Sequence, residues 1–68
     1  MQTEVFKTIQ ITGSSTSGSD EAVRAAIEKA AKTIHNIRWF KVVETRGHIE
    51  NSKIAHWQVT IDLGFTLD

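Results

Sequence analysis

The chain contains no cysteine. Disulfides, thiol nucleophiles and cysteine-type metal sites are excluded, and cysteine usage leaves the redox compartment open. There is no excess of either charge. Eight Lys and Arg balance eight Asp and Glu, for a net charge of zero with histidine neutral. A general nucleic-acid partner or an anionic membrane surface needs a basic excess, so neither is expected. No apolar run is long enough to span a bilayer, and Met1-Gln2-Thr3-Glu4-Val5-Phe6-Lys7 carries no apolar signal region. A cytoplasmic location is therefore expected. The three histidines, His35, His48 and His56, lack a paired helical spacing and a carboxylate pattern suited to zinc, and no metal site is expected. No Gly-x-Gly-x-x-Gly offers a pyridine-nucleotide site, and no acid–base cluster is evident, which disfavours an enzyme. Length is short too. At 68 residues, a single domain over 1–68 is expected. A chain of this size buries only about 60% of its unfolded surface. With disulfides and metals excluded, oligomerisation is the stabiliser left.

The most ordered pattern is in the last third, Lys53 to Leu67. Ala55, Trp57, Val59, Ile61, Leu63, Phe65 and Leu67 alternate with His56, Gln58, Thr60, Asp62, Gly64 and Thr66. Strict alternation marks a half-buried strand. At about 3.3 Å per residue it would span about 50 Å. Val5–Thr12 is a second strand candidate, with Val5, Ile9 and Ile11 on one parity. Gly13–Ser19 reads as a loop rich in helix N-cap residues, followed by Asp20 and Glu21 where a helix N-terminus favours negative charge. A helix is expected over Ser19–His35, with a stripe of Val23, Ile27, Ala30 and Ile34. Ala22, Ala26 and Ala31 flank that stripe and allow close approach to a sheet, and Asn36 ends the helix. A third strand is expected over Trp39–Glu50, joined to the last by a tight turn at Asn51-Ser52. The order is β–α–β–β, an α+β fold.

With Asn51 and Ser52 at the centre of the turn, Phe40 faces Leu63, Val42 faces Ile61, Glu44 faces Val59 and Thr45 faces Gln58. Trp39 then shares the polar face with Gln58, away from the helix. Arg46 falls on the helix face. A helix of about 25 Å covers only half of a 50 Å hairpin. Apolar residues at one end of the last strand, Ala55 and Trp57 or Phe65 and Leu67, are expected to remain uncovered and to meet another subunit.

The run Arg38-Trp39-Phe40-Lys41-Val42-Val43-Glu44-Thr45-Arg46-Gly47-His48-Ile49-Glu50, followed by Lys53-Ile54-Ala55-His56-Trp57-Gln58-Val59-Thr60, closely resembles the dodecins, small flavin-binding proteins. The resemblance extends to Val5-Phe6-Lys7, to Glu21-Ala22-Val23-Arg24 and the rest of the helix, and to Gly64-Phe65. It implies a three-stranded antiparallel sheet partly wrapped around one helix, assembled into a hollow homododecamer. It implies flavin storage, sequestration and quenching of photoexcited flavin without turnover. In such proteins flavin pairs stack between tryptophans matching Trp39, and a glutamine matching Gln58 bonds the ring edge. An arginine matching Arg46 lies near the phosphate-bearing tail, FMN being the favoured flavin over riboflavin or FAD. Thr45 is a further candidate contact. Some members bind coenzyme A, which no motif here assigns. The chain departs from the family pattern in the loop Ser15–Ser19, at Trp57 where tyrosine is common, and at Ser52 where glycine is common. Two other functions are weighed beside this one: a structural homo-oligomer or adaptor with Trp39 as interface anchor, and a flavin-dependent redox enzyme.

Overall fold

A computed structural model describes residues 3–67. The elements are β1 (Phe6–Ser15), α1 (Ser19–Ala31), β2 (Ile37–Glu50) and β3 (Lys53–Thr66). They form one antiparallel sheet in the order β1-β3-β2. The alternating strand is thus the central one, hydrogen-bonded on both sides. The hairpin of β2 and β3 makes the protein long, 54 × 21 × 15 Å.

The sheet has an inner face under the helix and an outer face away from it. Val59, Ile61 and Leu63 of β3 are buried on the inner face against Ala22, Ala26 and Ala30 of α1. The buried helix stripe is therefore alanine at every fourth residue. Val23, Ile27 and Ile34, expected at its centre, pack at the margin. Gly13 explains the choice. A Cβ placed there would stand 2.1 Å from the Ala22 carbonyl oxygen and 2.9 Å from the Ala26 methyl. The helix crosses β1 at a residue with no side chain, and only alanines fit that spacing. For the same reason Gly13–Ser15, read as loop, belongs to β1, where it pairs with Val59, Gln58 and Trp57.

The helix is shorter than its periodicity suggests, ending at Ala31 rather than His35. Lys32 and Thr33 tighten into a turn in which the amides of Thr33 and Ile34 both donate to the Ala30 carbonyl. The Thr33 hydroxyl donates to the same oxygen, a local bond that competes with continued helix. Asn36 adopts φ 64° as the corner before β2, not as the helix terminus. At the start, Gly18 is the N-cap and no side chain caps the helix.

The helix packs on β1 and β3. Uncovered apolar surface therefore runs along β2 as well as at the two ends of the last strand, where Ile54 is 56% and Leu67 58% exposed. Ala55, Trp57 and Phe65 are half-buried, whereas Phe40 and Val42, on the inner face of β2, are 49% and 46% exposed. An open groove of about 410 Å³ separates them from Val23 and Ile27 of the helix.

The turn at Asn51 and Ser52 is as expected, with φ of 51° and 63°, the doubly left-handed geometry suited to strand twist. Serine is strained there by about 1–2 kcal/mol, and glycine would give back about half of that in chain entropy. Ser52→Gly is expected to stabilise the protein by about 0.5–1 kcal/mol. A urea melt at fixed protein concentration checks this; an unchanged or lower midpoint contradicts the turn's strain.

Candidate functional site on the outer face

Register decides which side chains share the outer face. The hairpin begins in the expected register, Glu50 opposite Lys53 and Ile49 opposite Ile54. It ends in it as well, with Val42 opposite Ile61, Phe40 opposite Leu63 and Trp39 opposite Gly64. Between these, five rungs are displaced by one residue: Glu44–Thr60, Thr45–Val59, Arg46–Gln58, Gly47–Trp57 and His48–His56. Ala55 on β3 and Val43 on β2 have no rung partner and act as bulges that open and close the displaced segment. A third irregularity sits at Arg38.

Three expectations change as a result. Glu44 faces Thr60 rather than Val59, and Thr45 faces Val59 rather than Gln58. Thr45 therefore belongs to the inner face. Arg46, expected on the helix side, stands opposite Gln58 on the outer face. The physical reason is that each bulge reverses the alternation of the strand that carries it.

The outer face of β2 and β3 thus carries Trp39, Lys41, Glu44, Arg46 and His48 opposite Gly64, Asp62, Thr60, Gln58 and His56. β1 extends it with Gln10 and Thr12. Gln10 donates to the Asp62 carboxylate at 3.1 Å, and the Thr12 and Thr60 hydroxyls bond at 2.8 Å. These cross-strand pairs hold the middle of the face flat and polar. Arg46 is ion-paired with Glu44, two residues away on the same face.

Trp39 has a specific seat. A Cβ on Gly64 would meet Cε2, Cζ2 and Nε1 of the indole at 2.0, 2.2 and 2.5 Å. The indole therefore lies across β3 in the space Gly64 leaves. Phe6 of β1 braces it edge-on, with ring centroids 6.0 Å apart. The indole is still 40% exposed. Neither Gly64 nor Phe6 was singled out by sequence as part of this site. The available signal was a glycine inside a strand, directly opposite a tryptophan.

Trp39 and Gln58 share the face but not a place on it. Gln58 lies six residues from Gly64 along β3, about 20 Å at a strand's rise. Arg46 is on the Gln58 rung. One chain therefore presents an aromatic platform at one end and an amide–guanidinium pair towards the other. Among the described residues, no cluster of three or more His, Asp or Glu is placed to hold a metal, and no helix is long and apolar enough to cross a membrane.

These features define a class: a small α+β protein with one helix on an open antiparallel sheet, its free face carrying an exposed aromatic platform. Comparison with known proteins is specific within that class. The dodecin family model matches residues 5–68, and the chain belongs to the dodecin family. It is 35% identical over 65 residues to the dodecin of Thermus thermophilus, covering 96% of this chain and 94% of that protein. The dodecin structure from Streptomyces davaonensis superposes with a TM-score of 0.93 at 45% identity, covering 98% of each chain. That from Streptomyces coelicolor gives 0.93 at 40%, covering all of this chain and 97% of the other.

Proposed function

We propose that the protein binds and sequesters flavin without turning it over, as a homododecamer in which two copies complete each site. The observation that carries this is the indole of Trp39, laid over Gly64 and braced by Phe6 yet open to a flat ligand. An indole face is a broad, rigid π surface for a heteroaromatic ring. The Gln58 amide donates and accepts at once, which matches the alternating donors and acceptors of a flavin edge.

The 20 Å between the Trp39 and Gln58 rungs argues that one ring does not receive both from one chain. A second copy, facing the first across its outer face, brings its Gln58 towards the first copy's Trp39. The exposed β2 strip of Phe40 and Val42 supplies apolar surface for association elsewhere in the assembly. The electron-rich indole gives a stacked, photoexcited flavin a non-radiative route back to its ground state. FMN is the proposed flavin, with riboflavin or FAD as related ligands. Coenzyme A remains unassigned.

Arg46 is the proposed partner of the FMN phosphate. Its place opposite Gln58 supports this, as does a spacing. Solved variants of the Thermus protein exchange a tryptophan, an arginine seven residues later, and an arginine twenty-seven residues later. Counted from Trp39, this chain has Arg46 at the first spacing and Thr66 at the second. Phosphate recognition then rests on Arg46, freed from Glu44 when the ligand arrives. Arg46→Gln is expected to weaken FMN binding about tenfold, the scale of one hydrogen bond to a charged group. Riboflavin, which lacks the phosphate, should bind as before. Equal losses for both ligands would mean that Arg46 acts only through its pair with Glu44.

The proposal is tested by titrating the purified protein into FMN while following flavin emission and particle mass. Quenching, a yellow particle and a mass far above 7.6 kDa support it. A large particle that stays colourless and leaves emission unchanged would instead favour the structural oligomer.

A further inference from the structure

The far end of the hairpin holds a feature that flavin binding does not use. His48 and His56 stand directly opposite each other on β2 and β3. Their rings are nearly parallel, 17° apart, with centroids separated by 5.0 Å. We propose that this cross-strand pair chelates a divalent transition-metal ion of the zinc or nickel class through both imidazoles.

The bulge at Ala55 creates the pair. In the register of the turn, His48 would oppose Ala55 and His56 would oppose Gly47, on different rungs and different faces. The one-residue shift brings both histidines to one rung of the outer face. Directly opposed residues have Cβ atoms about 4.5–5.5 Å apart. Two nitrogens bound to one ion at about 2.1 Å each stand no more than about 4.2 Å apart. The two imidazoles, His48 exposed and His56 half-buried, reach that separation by side-chain rotation.

The surroundings permit a cation. Arg46, two residues before His48 on the same face, is held by Glu44. Glu50, two residues beyond His48, contributes a carboxylate to that end of the face, opposite Lys53. Two imidazoles suit borderline ions such as Zn(II) and Ni(II) and do not suit calcium or magnesium, which take oxygen ligands. The remaining coordination positions are open to water.

The test is a calorimetric titration of the intact protein with zinc chloride, repeated with nickel. It needs no flavin, so its outcome is independent of the function proposed above. Saturable binding is expected, with each of His48→Gln and His56→Gln weakening it tenfold or more. His35→Gln, away from the pair, should bind as the parent does. Circular dichroism and particle mass establish that the substitutions leave the fold intact. Absence of binding, or binding that survives either substitution in the pair, overturns the proposal. So does binding lost only with His35. Calcium binding stronger than zinc binding would overturn the assignment of ion class.

Discussion

Trp39→Ala is expected to lose most FMN binding and nearly all quenching. Stacking of a flat heteroaromatic on an aromatic side chain contributes about 1–3 kcal/mol by alanine substitution, or roughly 5–150-fold in affinity. The substitution leaves Gln58 and Arg46 in place, since both lie on a rung some 20 Å away. Gly64→Ala probes the same seat while keeping the indole. Its new methyl would coincide with Cε2 and Cζ2 of Trp39, at 2.0 and 2.2 Å, and must lift the ring off β3. Affinity should fall with the platform displaced, while flavin that does bind still meets an indole and is still quenched. The two variants thus separate position from chemistry. Fluorescence titration reads both quantities. Parent-like affinity and quenching in Trp39→Ala would remove the stacking mechanism altogether.

The second large effect concerns the fold. Gly13→Ala is expected to destabilise the protein by about 2–3 kcal/mol. The added Cβ would sit 2.1 Å from a backbone oxygen of the helix, and backbone does not rotate away as a side-chain tip does. Overpacking a tight site costs about 1–3 kcal/mol, and this contact is at the severe end. Against a total of some 3–10 kcal/mol for a chain of this length, that is a large share. At about 4–8 °C per kcal/mol, the thermal midpoint should drop by roughly 10–20 °C. The comparison must be made at one protein concentration, because association adds to apparent stability. Ala22→Gly would not rescue it, since the clash is with the Ala22 carbonyl. A melt within a degree or two of the parent would show that the helix does not bear on β1 at this point.

Element order, the turn at Asn51-Ser52 and the burial of Val59, Ile61 and Leu63 were legible in the sequence because each has a local pattern. Alternation marks a strand, and a short polar pair between two strands marks a turn. The outer placement of Trp39 followed from counting back from that turn. What could not be counted were the bulges. Ala55 and Val43 are ordinary strand residues, and nothing in their chemistry announces an extra residue on one side of a ladder. Yet they decide that Arg46, not Thr45, faces outward beside Gln58. The helix stripe departs from its apolar pattern for a related reason. Val23 and Ile27 have more apolar surface than Ala22 and Ala26, but Gly13 sets a spacing that only alanine meets. The exposed β2 strip lies beyond the expected places because pattern shows which residues are apolar, not which strand a helix lies over.

The strand order has a consequence for synthesis. β1 pairs with β3, and β2 lies on the far side of β3. Phe6 meets Thr66, so the first strand cannot pair until the third has been made. During translation β1 and the helix have no sheet to join until β3 follows β2. Long-range pairing of this kind pays loop closure before it gains contacts, and slows folding. The sheet is therefore completed late, with Phe40 and Val42 still open on its flank. Apolar surface exposed through such an interval favours aggregation.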